Sequence, residues 1–351
     1  MSWQENTRLI TVNLLKGEVA PPGTDKASKP FRKFVLPAAH DIGMNSMETP
    51  DSVIQKAGAP FVNIMKQSSN AFNKLADNAT EGIIAAIAPN IVSGLAVTQK
   101  DKLDVVLTIG ARYFEFRPAH IHEELRKYNC VPDVLYFTHG PIPGMQYDAF
   151  LHDIVAFLMA HPTEIVVAQL RWDGVPAQCA HPSDGELNNS MHQALQQANG
   201  AINAGNLDDL QRESIESLRN SGKRLILLNS VDSFSTYTDA GNATLNGDSI
   251  VQEYENMNTD QQNGKAFTNI QCQATATNIR DVVIYSALDA SVSNSCLMAT
   301  KPICDSKTLP WIRQNALDKL RADQLVVIMN DFFDGATADV GIGLSEKRLD
   351  S

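Results

Sequence analysis

Two apolar runs, Ile165-Val-Val-Ala-Gln-Leu170 and Leu325-Val-Val-Ile-Met329, limit what this chain can fold into more than any other feature. Both are continuous rather than alternating, the pattern of strands buried on both faces of a parallel sheet. Further β-rich runs at Lys33–Ala39, Tyr113–Arg117, Val134–Thr138, Glu164–Arg171, Arg224–Asn229, Val282–Ser286 and Leu325–Asn330, with a weaker one at Ile250–Tyr254, recur along the sequence. Helical stretches separate them. Tyr147–Met159 sets Phe150, Ile154, Phe157 and Leu158 at helical spacing, with Pro162 as a stop signal. Glu186–Ala198 and Ser214–Asn220 are similar, the latter ending near Gly222, and Pro310–Arg321 opens on a proline suited to a first helical turn.

Strands alternating with helices over this length predict an α/β fold, a single distorted (β/α)8 TIM-type barrel. No linker rich in Pro, Gly or Ser divides the chain and no internal repeat is visible. Residues 1–351 are therefore expected to form one domain, with an irregular N-terminal arm over 1–30 and the barrel over about 31–338. Gly241–Gly247 reads as a surface loop.

A net charge of −11 opposes the phosphate backbone, so nucleic-acid binding is not expected, and neither is docking through a polybasic patch on an anionic membrane. The first residues lack the apolar core of a signal peptide. Five scattered cysteines, Cys130, Cys179, Cys272, Cys296 and Cys304, show no metal-type spacing and an odd count. Together these features favour free thiols and a cytoplasmic protein. The apolar stretch Gly82–Val97 is interrupted at Pro89-Asn90 and falls short of the roughly 20 residues that span a bilayer. A buried helix pair, or a helix broken at Pro89, is the simpler reading, and an interfacial element making transient membrane-surface contact the sharper one.

A parallel barrel gathers its chemistry at the C-terminal ends of its strands. His40-Asp41, Glu115 and Arg117, His139, Arg171, Glu253 and Asp331 all fall at such ends. Residues two apart on a strand share a face, so Glu115 and Arg117 project together. Cleaving a phosphodiester needs a base for the attacking oxygen, an acid for the leaving oxygen and positive charge for the transition state. Histidine suits both proton roles, a carboxylate such as Asp41 or Asp331 can fix each imidazole, and Arg117 can offer a fork to non-bridging oxygens, with Glu115 holding the guanidinium flat. A single strand-end histidine is ordinarily just a satisfied surface group; the joint placement is what points to acid–base cleavage. The other six histidines, the His120-Ile-His122 pair included, read as structural or exposed.

Three segments carry a resemblance: Leu36-Pro-Ala-Ala-His-Asp-Ile-Gly43, Gly110-Ala-Arg-Tyr-Phe-Glu-Phe-Arg-Pro118 and Tyr136-Phe-Thr-His-Gly-Pro141. With Phe150–Arg171, Gly222–Leu228 and Val326–Asp331, they resemble the phosphatidylinositol-specific phospholipase C superfamily, its bacterial metal-independent type in particular, over about 30–335. A fungal or bacterial member is expected. The resemblance implies His40 as general base supported by Asp331, His139 as general acid supported by Asp41, and Arg117 in the place where calcium-dependent relatives keep their metal. It implies no cofactor. Arg171 looks like the family's phosphate or headgroup contact, and Glu115, Glu253 and Tyr254 fall at substrate-binding positions. The implied substrate is a phospholipid or a smaller phosphodiester. A headgroup hydroxyl would attack phosphorus to give a cyclic phosphodiester and diacylglycerol.

The sequence departs from the family at the headgroup. Glu115 and Glu253 replace shorter aspartates, and Asn229-Ser230 stands where the family usually has an arginine. Two other readings stay open. One is a metal-dependent enzyme of the glycerophosphodiesterase or sphingomyelinase D kind, with ligands around Glu115. The other is a catalytically inactive barrel that binds a sugar or lipid headgroup.

Overall fold

The apolar runs form the strands of one curled parallel sheet. The structure, a computed structural model, describes residues 19–68, 89–90, 92–94, 96–275 and 296–351. Strands β1 (Val35–Ala39), β2 (Tyr113–Phe116), β6 (Val166–Leu170), β8 (Leu225–Asn229), β10 (Phe267–Gln271) and β11 (Leu325–Asn330) make its body. Two-residue strands β7 (Ala204–Gly205) and β9 (Phe234–Ser235) form its edges, in the order β7-β8-β6-β2-β1-β11-β10-β9. Every pairing in it is parallel. The result is a distorted (β/α)8 barrel, incomplete between β7 and β9 among the described residues. All strand C-termini face one rim, which sets His40, Arg117, Arg171, Ser230 and Asp331 around a single mouth.

Helices cover the outside. Tyr147–Ala160 buries Phe150, Leu151, Ile154 and Leu158 against the sheet, and Asp184–Gln196 begins with a capping box between Ser183 and Glu186. No described helix is long and apolar enough to cross a membrane.

Several expectations from sequence need correction. The run at Val134–Thr138 is not a barrel strand. It becomes β4 (Tyr136–His139) of a separate antiparallel sheet with β3 (Pro118–Ala119) and β5 (Ile142–Gln146). The reason is local: Gly140-Pro141 forms a two-residue turn with φ +56° at Gly140, and so short a turn can join only antiparallel strands. Ile250–Tyr254 lies in a helix, Asp248–Asn256, not a strand. Pro310 is inside the helix Cys296–Lys319 rather than at its start. Gly241 and Asn242 are buried in a short helix, so only the later part of that segment is surface loop. Strand β10, Phe-Thr-Asn-Ile-Gln, is not expected from sequence, because three of its five residues are polar and follow no two-residue period, although all five are buried. Val282–Ser286 and most of Gly82–Val97 lie outside the described residues.

The β4–β5 hairpin matters because it carries His139. Two glycines let it dock on the turn after β1. A Cβ on Gly144 would stand 2.2 Å from Gly43 O, and one on Gly43 would stand 2.2 Å from the Phe137 side chain. That close approach allows Met145 N to donate to Gly43 O at 2.8 Å. Phe137 packs edge-on to Phe116 at 5.2 Å, which in turn meets Phe150 at 4.4 Å. Thr138 N also donates to Arg117 O at 3.1 Å. Gly144→Ala is expected to cost about 1–3 kcal/mol by overpacking. In urea this would appear as a lower unfolding midpoint at unchanged slope. An unchanged midpoint would mean that the two backbones need not meet so closely.

Candidate active site

Where β1 ends, the chain turns sharply: Asp41 adopts φ +45°, a left-handed conformation uncommon outside glycine. The turn points His40 and Asp41 into the mouth. From β11, Asp331 Oδ1 lies 2.7 Å from His40 Nδ1, which fixes the ring and leaves Nε2 facing inward. Nε2 stands 3.7 Å from both Asp41 Oδ1 and Glu115 Oε1. From the hairpin, His139 Nε2 stands 3.7 Å from Asp41 Oδ2. Asp41 is thus flanked by both imidazoles.

Arg117 sits between the two carboxylates. Its Nη2 lies 2.9 Å from Glu115 Oε1 and 2.9 Å from Asp41 Oδ1, and Nη1 donates to Asp41 Oδ2 at 3.3 Å. The contact to Asp41 Oδ1 is an ion pair without hydrogen-bond alignment, since that oxygen has no hydrogen-bond donor. Glu115 is shared: its other oxygen accepts from Arg171 Nη1 at 2.7 Å. Arg171 in turn holds Asp173 through Nε and Nη2, both at 2.8 Å. The same-face geometry expected of Glu115 and Arg117 is present.

Charge in this cluster is unevenly distributed. Burial disfavours the charged form of His40, but Asp41, Asp331 and Glu115 outweigh it and raise its pKa to about 9. His139 goes the other way: burial lowers it, helped by Arg117 and His40 and opposed by Asp41. Asp41 is held well below the usual carboxylate range, because Arg117 and both histidines overcome the burial that would raise it. Glu115 is raised by burial despite its two arginines. At neutral pH the free site therefore carries its proton on His40 rather than His139.

His40, Asp41 and Glu115 would be the ligands if a divalent ion bound here. They fit one poorly. The two carboxylate oxygens facing His40 are those contacted by Arg117 Nη2, so an incoming cation would meet a guanidinium already in its place.

Two expected site residues are not brought to this cluster. Glu253 and Tyr254 lie on the helix Asp248–Asn256. Tyr254 is fully buried in the core, packs on Trp311 at 5.3 Å and donates its hydroxyl to Gln271 O. Other residues line the mouth instead. Beside Arg171 opens a cleft of about 490 Å³ bounded by Gln169, Trp172, Asp173, Ser230 and Asn269. Gln169 accepts from the Tyr113 hydroxyl, and Asn269 Oδ1 is buried without a donor. For Gln169 the available signal is a polar residue inside an apolar strand run; Asn269 has none, because β10 does not read as a strand. Of the remaining histidines, His120 pairs with Glu186 at 3.0 Å while His122 caps a helix, so they do not converge as a metal pair.

Neither a family model nor a curated protein matches the sequence. Solved structures do match in fold. A pentafluoro-Phe form of phosphatidylinositol-specific phospholipase C from Staphylococcus aureus is 12% identical, with 95% of this chain and 98% of that one covered and a TM-score of 0.54. A second structure of the S. aureus enzyme is also 12% identical, covering 90% and 94%, with a TM-score of 0.52. The enzyme from Listeria monocytogenes is 12% identical over 91% and 95%, with a TM-score of 0.48. The chain has the fold of the bacterial phosphatidylinositol-specific phospholipases C.

Proposed function

We propose that this protein is a metal-independent phosphodiesterase of phospholipase C type, acting on a phospholipid or related phosphodiester. The observation that carries the reading is Arg117, wedged between Asp41 and Glu115 while both imidazoles stand 3.7 Å from Asp41. The named activity of the neighbours of like fold supports the substrate class. The headgroup itself is left open by Asn229-Ser230 and by the amide-lined cleft.

In this mechanism His40 Nε2 takes the proton of a headgroup hydroxyl, whose oxygen attacks phosphorus. The bond from phosphorus to the lipid oxygen breaks, and His139 delivers a proton to that oxygen. Arg117 holds a non-bridging oxygen through the donors that Asp41 and Glu115 leave free. Asp331 keeps the His40 ring aligned, and Asp41 does the same for His139 and Arg117.

Because the free site places its proton on His40, only a small fraction of the protein is in the state this division needs. The pH profile of kcat/KM is then a bell, with one limb below 6.5 from His139 and the other near 9 from His40. The opposite division of roles gives the same two limbs, so the profile cannot assign them. Leaving-group chemistry can. His139→Ala should lower turnover of a lipid substrate by about 10²–10⁴-fold, yet retain most activity toward a nitrophenyl phosphodiester whose leaving group needs no proton. His40→Ala should lose both. The reverse outcome would exchange the roles.

Asp331→Asn removes a carboxylate that favours protonated His40, so the alkaline limb should move from about 9 to lower pH. A limb that stays in place would detach Asp331 from His40.

A second reading is a headgroup-binding barrel without turnover: Asn229-Ser230 alters the headgroup end of the mouth, and Arg171 spends three of its five N–H groups on Glu115 and Asp173. It requires that His40→Ala and His139→Ala bind the headgroup as the parent protein does.

A further inference from the structure

The backbone around the two histidine-bearing strands is unusual in two places at once. Asp41 has φ +45° directly after His40, and Phe332 has φ +44° directly after Asp331. Neither is glycine, so both corners hold strained, left-handed backbone that the surroundings must fix. They are adjacent, because β1 and β11 pair in register and His40 N donates to Asn330 O at 3.0 Å.

One dipeptide bonds to both corners. Thr98 and Gln99 are buried, at 3% and 1% exposure. On the β1 side, Gln99 Nε2 donates to His40 O at 2.8 Å and Thr98 Oγ1 donates to Asp41 O at 3.0 Å. The amides of Thr98 and Gln99 donate to Met44 O at 3.1 and 3.3 Å. On the β11 side, Gln99 Nε2 also reaches Asn330 O at 3.2 Å, and Gln99 Oε1 accepts from Phe333 N at 2.8 Å. Thr98 O accepts from Phe332 N at 2.7 Å. A carboxamide offers two N–H donors for the carbonyls on one side and an oxygen that accepts from an amide on the other. A carboxylate would set an oxygen against His40 O and Asn330 O, and an apolar side chain would take the acceptor from Phe333 N and one donor from each of the two carbonyls.

We infer that Gln99, seconded by Thr98, is a positioning residue that holds His40 and Asp331 in register by tying together the two left-handed corners that present them. Neither residue touches the reacting atoms; each acts through the backbone of those that do. The kinetic consequence rests on the phosphodiesterase reading, whereas the geometry of the His40–Asp331 contact does not.

The test is the histidine titration followed by ¹H–¹³C NMR in the full chain, with the His40 signal assigned by its loss in His40→Asn. In Gln99→Leu the His40 midpoint should fall from about 9 by about one pH unit or more, as Asp331 drifts away from it. The turnover number should drop about 10–100-fold with KM much less affected, the scale of a misplacement near 1 Å. A Gln99→Leu protein that melts earlier but keeps its His40 midpoint and turnover would overturn the inference, since Gln99 would then serve stability alone. Should Gln99→Leu not fold, Thr98→Val and Thr98→Ser decide. Valine, which lacks the hydroxyl, should lower the midpoint and turnover, and serine should restore both. Valine indistinguishable from the parent protein would overturn the inference equally. If the parent protein turns over no phosphodiester, the enzymatic reading fails on its own, and the His40 midpoint still decides the role of Gln99.

Discussion

Arg117 and its two carboxylates are the constraint on which the rest of the mouth depends. Asp41 and Glu115 are almost completely buried, and two unpaired carboxylates that close would repel each other and resist ionisation. The guanidinium between them favours the charged form of each: it holds Asp41 well below the usual carboxylate range and opposes the burial that raises Glu115. Further contacts follow from those charges: Asp41 attracts both imidazoles, and Glu115 holds Arg171 at the rim. Removing the arginine would leave Glu115 with Arg171 alone and Asp41 with only the two imidazoles, a larger loss than the net worth of the ion pair itself.

The surrounding fold supplies that cluster from three directions. β1 and β11 bring His40 and Asp331, β2 brings Glu115 and Arg117, and the β4–β5 hairpin brings His139. The hairpin is not part of the barrel, so its docking has to be secured separately. Gly43 and Gly144 allow it, Phe116 and Phe137 pack across it, and Thr138 is bonded to the carbonyl of Arg117 itself. The acid–base pair thus depends on a backbone contact between two glycines as much as on any charge.

Much of this is legible in the amino-acid sequence, for identifiable reasons. Buried parallel strands with continuous apolar runs, such as Val166–Leu170 and Leu325–Asn330, are told from buried helix segments by their short length and β-branched residues. Strand-end charges then follow from the fold's polarity. What escaped was whatever lacks that pattern. β10 mixes Thr, Asn and Gln into its buried faces because it lines a polar mouth, and β7 and β9 are too short to show a period. Ile250–Tyr254 reads as a weak strand, yet two of its apolar residues, Ile250 and Tyr254, are spaced for a helix and bury there. Thr98 and Gln99 could not have been found at all, because their role lies in backbone groups distant in sequence.

The central claim is that an arginine takes the place of a metal in cleaving a phosphodiester. Phosphorus NMR of phosphatidylinositol vesicles incubated with the protein in excess EDTA tests it most directly. The account predicts a new cyclic phosphodiester resonance that appears undiminished by the chelator and vanishes in Arg117→Ala. Turnover that requires an added divalent cation, with unchanged lipid in EDTA, would contradict it.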